Sequence, residues 1–112
     1  METQLIESFA SVAGEVLREV RLGRSFSLRQ VTVRSGGRFK PSSVASYERG
    51  ERQISLERLF ALADVYQVAP ERITAAIAHR LERLREGHGR VPSRPEPLVV
   101  VDALDLTREE RR

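Results

Sequence analysis

Between Ser27 and Gly50 the chain reads SLRQVTVRSGGRFKPSSVASYERG, and its capping and breaking residues leave room for two short helices joined by a glycine turn. Ser27 has a hydroxyl that can cap the free backbone N–H groups of a helix, and Gln30, three residues on, completes a capping box. Leu28 and Val31 supply the inner face. Gly36-Gly37 ends this helix, because glycine accepts the left-handed backbone that closes a helix C-terminus. The second helix restarts near Lys40. Pro41 suits its first turn, where no N–H partner is lost, Val44 and Tyr47 fall three apart on one face, and Gly50 stops it. Neither helix is long enough to stand alone, so both must pack against the rest of the chain.

The rest supplies that packing. Leu5, Phe9, Val12, Val16 and Val20, with Leu17 beside them, recur at three- and four-residue spacings and predict an amphipathic helix over Thr3 to Leu22. Arg21 and Arg24, on either side of Gly23, suit the negative end of its dipole. A further helix opens at Ser55 and runs LERLFALADVY, with Leu56, Leu59, Phe60, Ala63 and Tyr66 expected to face inward. Pro70 starts the last, PERITAAIAHRLERLREG, with Ile73, Ile77, Leu81 and Leu84 on one side. Its distal half, from about Arg80, is expected to project or to pack against another chain.

The expected architecture is therefore all-α: a compact five-helix domain over residues 1–86, a glycine- and proline-rich linker over 87–97, and a C-terminal tail over 98–112. In that tail LVVVDALDL, with consecutive β-branched residues, reads as a short strand or docked extended segment, or else as a frayed end. One small domain plus a tail is what 112 residues allow. The chain lacks cysteine, which excludes disulfides, thiolate metal sites and a thiol nucleophile. The start METQLIESF is acidic and holds no uninterrupted apolar run, so no signal peptide or membrane span is expected, and a cytoplasmic location is.

Charge is unevenly placed. From Arg18 to Arg58 there are ten basic and four acidic residues, a net of +6, which leaves −3 for the remainder of a chain whose total is +3. Because the basic excess coincides with the paired short helices, a nucleic-acid surface is the sharper reading and an arginine-rich solvated face the plainer one.

The stretch from Gly14 to Ile77 resembles the Xre, or lambda-repressor-like, helix-turn-helix family, on the strength of YERGER followed by SLERLFALADVY. GRFKPSSVASYERGER and LADVYQVAPERI are similar to its BldD-like subgroup from actinobacteria, which the two additional turn residues Gly37-Arg38 separate from the shorter standard turn. The resemblance implies a transcriptional regulator that binds palindromic duplex DNA as a homodimer, with the helix from Lys40 to Arg49 in the major groove. It places Lys40, Pro41, Ser42, Ser43 and Ser46 toward the bases. Serines discriminate bases weakly, and the glutamine that makes a bidentate adenine contact in other members is missing. Arg38 and Lys40 are then the choices for gripping guanine edges, or alternatively phosphates. Arg49, Arg52 and Arg29 are expected on the phosphate backbone, while Leu28 stands where relatives often carry a phosphate-binding glutamine. Glu48 would repel DNA, and the resemblance implies a structural ion pair between it and Arg21. Val44 and Tyr47 are assigned to the core. Phe39 either anchors the turn or lies exposed at the groove.

Two other function classes compete with this reading. An enzyme is disfavoured: His79 and His88 stand alone, Asp102 and Asp105 have no further predicted ligands, and neither a phosphate loop nor a catalytic triad can be assembled, so no metal or cofactor is expected. A protein-interaction module, antitoxin-like and using Leu98 to Arg112 to hold a partner protein, is the stronger alternative and is compatible with DNA binding.

Overall fold

The computed structural model describes residues 2–87, with side chains from residue 9 to 86. The linker from residue 88 and the tail, with His88, Asp102, Asp105 and the LVVV run, lie outside the described residues, as does the side chain of Leu5. Five helices follow in order: α1 Glu2–Gly23, α2 Leu28–Arg34, α3 Pro41–Glu48, α4 Leu56–Tyr66 and α5 Pro70–Gly87. Among the described residues the fold is all-α, and none of its helices is long and apolar enough to cross a membrane.

The local signals act as the sequence dictates. Ser27 Oγ accepts from Gln30 N–H at 3.1 Å and Gln30 Oε1 accepts from Ser27 N–H at 2.7 Å, so the start of α2 carries both halves of a capping box. Ser55 Oγ accepts from Arg58 N–H at the start of α4. Gln67 closes α4 in the left-handed conformation, with φ of 57°.

One hydrophobic core joins all five helices. Val12, Ala13, Val16 and Leu17 of α1 meet Val31 of α2, Phe39 of the turn, Val44 and Tyr47 of α3, Leu59, Leu62, Ala63 and Tyr66 of α4, and Ile73 and Ile77 of α5. Phe39 is fully buried, so it anchors the turn and is not available at a groove. Gly14 has the tightest surroundings: a Cβ there would lie 2.4 Å from the carbonyl oxygen of Tyr47 and 2.5 Å from that of Glu48. Helix α1 therefore rests directly on the C-terminal backbone of α3. Gly50, just past α3, makes a second close approach, to Ser11 of α1, in a left-handed conformation with φ of 73°.

Several expected inward residues face out. Leu56 and Phe60 are 66% and 53% exposed, and Leu62, which the sequence pattern does not single out, is fully buried instead. An eleven-residue helix in a small domain can bury only one stripe, and α4 buries Leu59, Leu62, Ala63 and Tyr66. Leu56 precedes that stripe at the helix start, and Phe60 lies about 100° around the helix from Leu59. Phe9 and Leu84, each 45% exposed, also lie away from the core. On α5 the apolar contact runs from Ile73 through Ile77 to Leu81, which is half-buried. Arg80 bonds Glu19 of α1 at 2.5 Å, so the beginning of the distal half of α5 is tied to α1 and does not project.

Replacing Gly14 by alanine would ordinarily favour a helix by roughly 0.5–1 kcal/mol. Here the new methyl would press on backbone that cannot rotate away, and overpacking of this kind costs about 1–3 kcal/mol. Gly14→Ala is expected to lower the melting temperature and the urea midpoint; a rise in either would show that α1 and α3 are not in such close contact.

Candidate nucleic-acid interface

The turn between α2 and α3 is built from its own polar groups. Thr32 Oγ1 donates to the carbonyl of Phe39 at 2.6 Å, Ser35 Oγ donates to the carbonyl of Thr32, and the Phe39 N–H donates to Ser35 Oγ at 3.1 Å. Gly36 and Gly37 take φ of 66° and 84°, left-handed values that glycine alone adopts without steric cost, and the Gly37 N–H returns to the carbonyl of Thr32. Together with buried Phe39, these bonds set the angle at which α3 leaves α2.

Helix α3 then divides by face. Val44, Tyr47 and Glu48 are buried, whereas Lys40, Pro41 and Ser42 are exposed and Ser43 and Ser46 half-buried. Arg38 precedes this polar face and Arg49 follows it, both exposed, with Arg52 beyond and Arg29 on α2 exposed as well. Arg52 lies over the Tyr47 ring, 5.4 Å from its centroid. All eight residues assigned to DNA from the sequence thus have at least partial access to solvent.

The buried face carries an ion pair. Arg21 Nε donates to Glu48 Oε2 at 2.6 Å and Nη2 to Oε1 at 2.9 Å, while Nη1 donates to the carbonyl of Phe26 at 2.8 Å. The two residues are only 8% and 9% exposed. Hydrogen bonding to Glu48 raises the pKa of Arg21 above its ordinary value, against the opposing effect of burial. Tyr66 sits close by, its hydroxyl buried, and desolvation, with the negative charge of Glu48 adding to it, pushes the phenol well above its usual range. The pair neutralises the acidic residue of α3 and joins the end of α1 to the end of α3 in a bidentate geometry.

Outside, two of the assigned arginines already have acidic partners. Arg49 makes a bidentate bond to Glu51, with Nε–Oε2 and Nη2–Oε1 both at 3.0 Å. This bond raises Arg49 and lowers Glu51 relative to their ordinary pKa values. Arg38 lies 3.7 Å from Glu57 at the start of α4. No ion pair engages Arg29, Lys40 or Arg52 among the described residues.

Two further arginines organise the site in ways that no local sequence signal marks. Arg58 of α4 donates to the Tyr47 hydroxyl at 2.8 Å and lies over the Phe39 ring at 4.6 Å, clasping the turn and α3 together. Arg24, whose place in the sequence suits the dipole of its own helix, caps another: its Nε donates to the carbonyl of Tyr66 and its Nη2 to that of Gln67, at the end of α4. Both roles depend on partners that tertiary folding brings near. The exposed His79 on α5 belongs to no cluster of metal-ligating residues among those described.

This fold places the chain in a class, since the helix-turn-helix family matches residues 17–73, and the chain belongs to that family. Its particular likeness is to BldD: the crystal structure of the DNA-binding domain of BldD is 40% identical, covering 58% of this chain and 92% of that one, with a TM-score of 0.55. The S. venezulae BldD DNA-binding domain gives the same identity and TM-score and is covered over 94% of its length. No curated protein matches the chain.

Removing one partner of a buried ion pair leaves the other charge desolvated, a loss of about 3–5 kcal/mol. Arg21→Ala and Glu48→Gln are each expected to lower thermal stability strongly, and the double variant to lose less than the two single losses added together. Additive losses in a double-mutant cycle would show that the two side chains are not coupled.

Proposed function

We propose that this chain is a sequence-specific, non-enzymatic DNA-binding regulator that places α3 in the major groove of duplex DNA. The observation that carries this reading is the division of α3: a polar face bounded by Arg38, Lys40 and Arg49 is left to solvent, while Val44, Tyr47 and the Arg21–Glu48 pair hold the opposite face on the core. The 40% identity to domains described as the DNA-binding domain of BldD supports it. Residues 1–86 form the DNA-binding domain in this proposal, 87–97 the linker and 98–112 a tail that serves dimer or partner contact, and the protein works on the nucleoid in the cytoplasm.

Lys40, Ser42, Ser43 and Ser46 face the bases, with Arg38 at the edge of the groove, and Arg29, Arg49 and Arg52 contact phosphates. Serine hydroxyls donate or accept and so separate base pairs weakly. Much of the selectivity then falls to Arg38, Lys40 and the shape of the duplex. A single domain of this size makes few contacts, and a homodimer on a palindromic site doubles them. The last helix and the tail are the surfaces proposed for dimerisation.

Selection of bound sequences from a random duplex pool is expected to enrich an inverted repeat, whose half-site spacing reports the dimer geometry. Absence of any enriched motif would favour the protein-interaction reading. Changing Arg49 and Arg52 together to glutamine is expected to weaken binding on every sequence and to flatten its dependence on salt, by roughly one unit of slope for each phosphate that the variant leaves unneutralised. An unchanged slope would remove both residues from the interface. Changes at Arg38, Lys40 or Ser42 are expected to alter the preferred sequence; a change in total affinity alone would make them positioning residues.

A further inference from the structure

A groove of about 490 Å³ runs between the C-terminal part of α1 and the first turns of α5, beside the turn that joins α4 to α5. Buried Val16 and Ile73 lie deepest in it, and half-buried Val20, Val68 and Ala76 line its sides. All five belong to the hydrophobic core or pack against it, so the groove is an open continuation of that core. An apolar segment laid there removes further apolar surface from water without displacing anything. Two cations stand at the rim. Arg24 gives its printed bonds to neutral carbonyls, those of Tyr66 and Gln67, which leave its charge uncompensated. Exposed Arg72 takes part in no ion pair among the described residues.

The fitting occupant is therefore a short aliphatic run that carries carboxylates and no cation. The chain contains one: from Glu96 to Leu106 it reads EPLVVVDALDL, with four consecutive aliphatic residues, three carboxylates and no basic residue. Its reach is sufficient. From Arg72 to the end of α5 at Gly87 is about 22 Å at 1.5 Å of rise per residue. The ten residues 88–97 can span up to about 33 Å when extended. A short tether of this kind holds its end at an effective concentration on the order of millimolar. In dilute solution that exceeds the concentration of any second copy, which favours the groove of the same chain.

We infer that Leu98 to Leu106 docks in the α1–α5 groove of its own domain, its aliphatic residues on Val16, Val20, Val68, Ile73 and Ala76 and its carboxylates, Asp102 and Asp105, at the arginine rim. Successive side chains of an extended segment point to opposite faces. Docking thus also turns aliphatic side chains outward beside α5, on the side proposed for dimerisation, and the tail serves that contact from a fixed place. The groove is apart from the polar face of α3, and the inference holds whether or not α3 enters DNA.

The test uses the full chain, in which the absence of cysteine lets one introduced thiol carry a nitroxide spin label. With the label on Ala103→Cys, the amide NMR signals of Val20, Val68 and Ala76 are expected to lose most of their intensity. Those of Gly37 and Ser42, beyond the far end of α2, should keep theirs. Adding Arg72→Glu, or Val100→Asp together with Val101→Asp, should restore the lost signals. The first change is at an exposed position and the other two lie outside the five helices, so a spectrum with the dispersion of the wild type reports an intact fold. No loss at the groove, or equal loss across the whole domain, would overturn the proposal. Loss that persists in either variant would overturn it too. Isotope-labelled chain without the nitroxide, mixed with nitroxide-bearing chain without the isotope, separates the sources of the tail. The mixture is expected to show no loss; loss at the groove there would give the groove to the tail of a second copy and overturn docking within one chain.

Discussion

The buried contact between Arg21 and Glu48 sets the relation between the longest helix and the helix that carries the site. A desolvated carboxylate next to a DNA-facing surface would be doubly unfavourable, by its own burial and by its repulsion of phosphate. Two hydrogen bonds from Arg21 remove both problems, and a third, to the carbonyl of Phe26, fixes the guanidinium plane. The pair can form because Gly14 lets α1 approach the carbonyls of Tyr47 and Glu48. A larger residue there would push the helix axes apart and lengthen the bonds. Close packing and charge pairing thus support each other at one crossing, and the direction of α3 follows from both.

Around that crossing the arginines divide by what they meet. Arg21, Arg24 and Arg58 are structural: one is paired in the interior, one caps the carbonyls at the end of α4, and one stacks on Phe39 while bonding Tyr47. Arg38 and Arg49 remain at the surface in exposed ion pairs that water can readily exchange, and Arg29 and Arg52 lie exposed in no ion pair among the described residues. Solvent exposure, more than formal charge, separates the groups available to an anionic partner from those holding the fold together. In the proposed function this accounts for an interface whose base-facing helix is chemically plain: its serines fit the groove, and its charge lies at its two ends.

Much of this was legible in the chain because it is local. Helix starts at Ser27 and Ser55, the glycine turn at Gly36-Gly37 and the inward positions Val31, Val44 and Tyr47 follow from capping geometry, backbone sterics and helical periodicity, each of which acts over a few residues. Periodicity was less informative on α4, where Leu56, Leu59, Leu62, Phe60 and Tyr66 offer more apolar positions than one narrow stripe can bury. Which of them turn inward depends on the helices that pack against α4. That is why Leu62 took the buried place and Phe60 the exposed one.

The sequence by itself therefore determined the five helices, the break between α2 and α3, and a basic central region; with the family resemblance it also pointed to Arg21 as the partner of Glu48. Tertiary structure alone decided that Gly14 is a contact point, that Arg24 and Arg58 serve helices other than their own, and that Arg38 and Arg49 share their charge with Glu57 and Glu51. The physical reason is the range of the forces involved. Capping and periodicity act between residues a few positions apart, whereas steric approach and most of these charge contacts join groups far apart along the chain, whose separation is known only once the helices have packed.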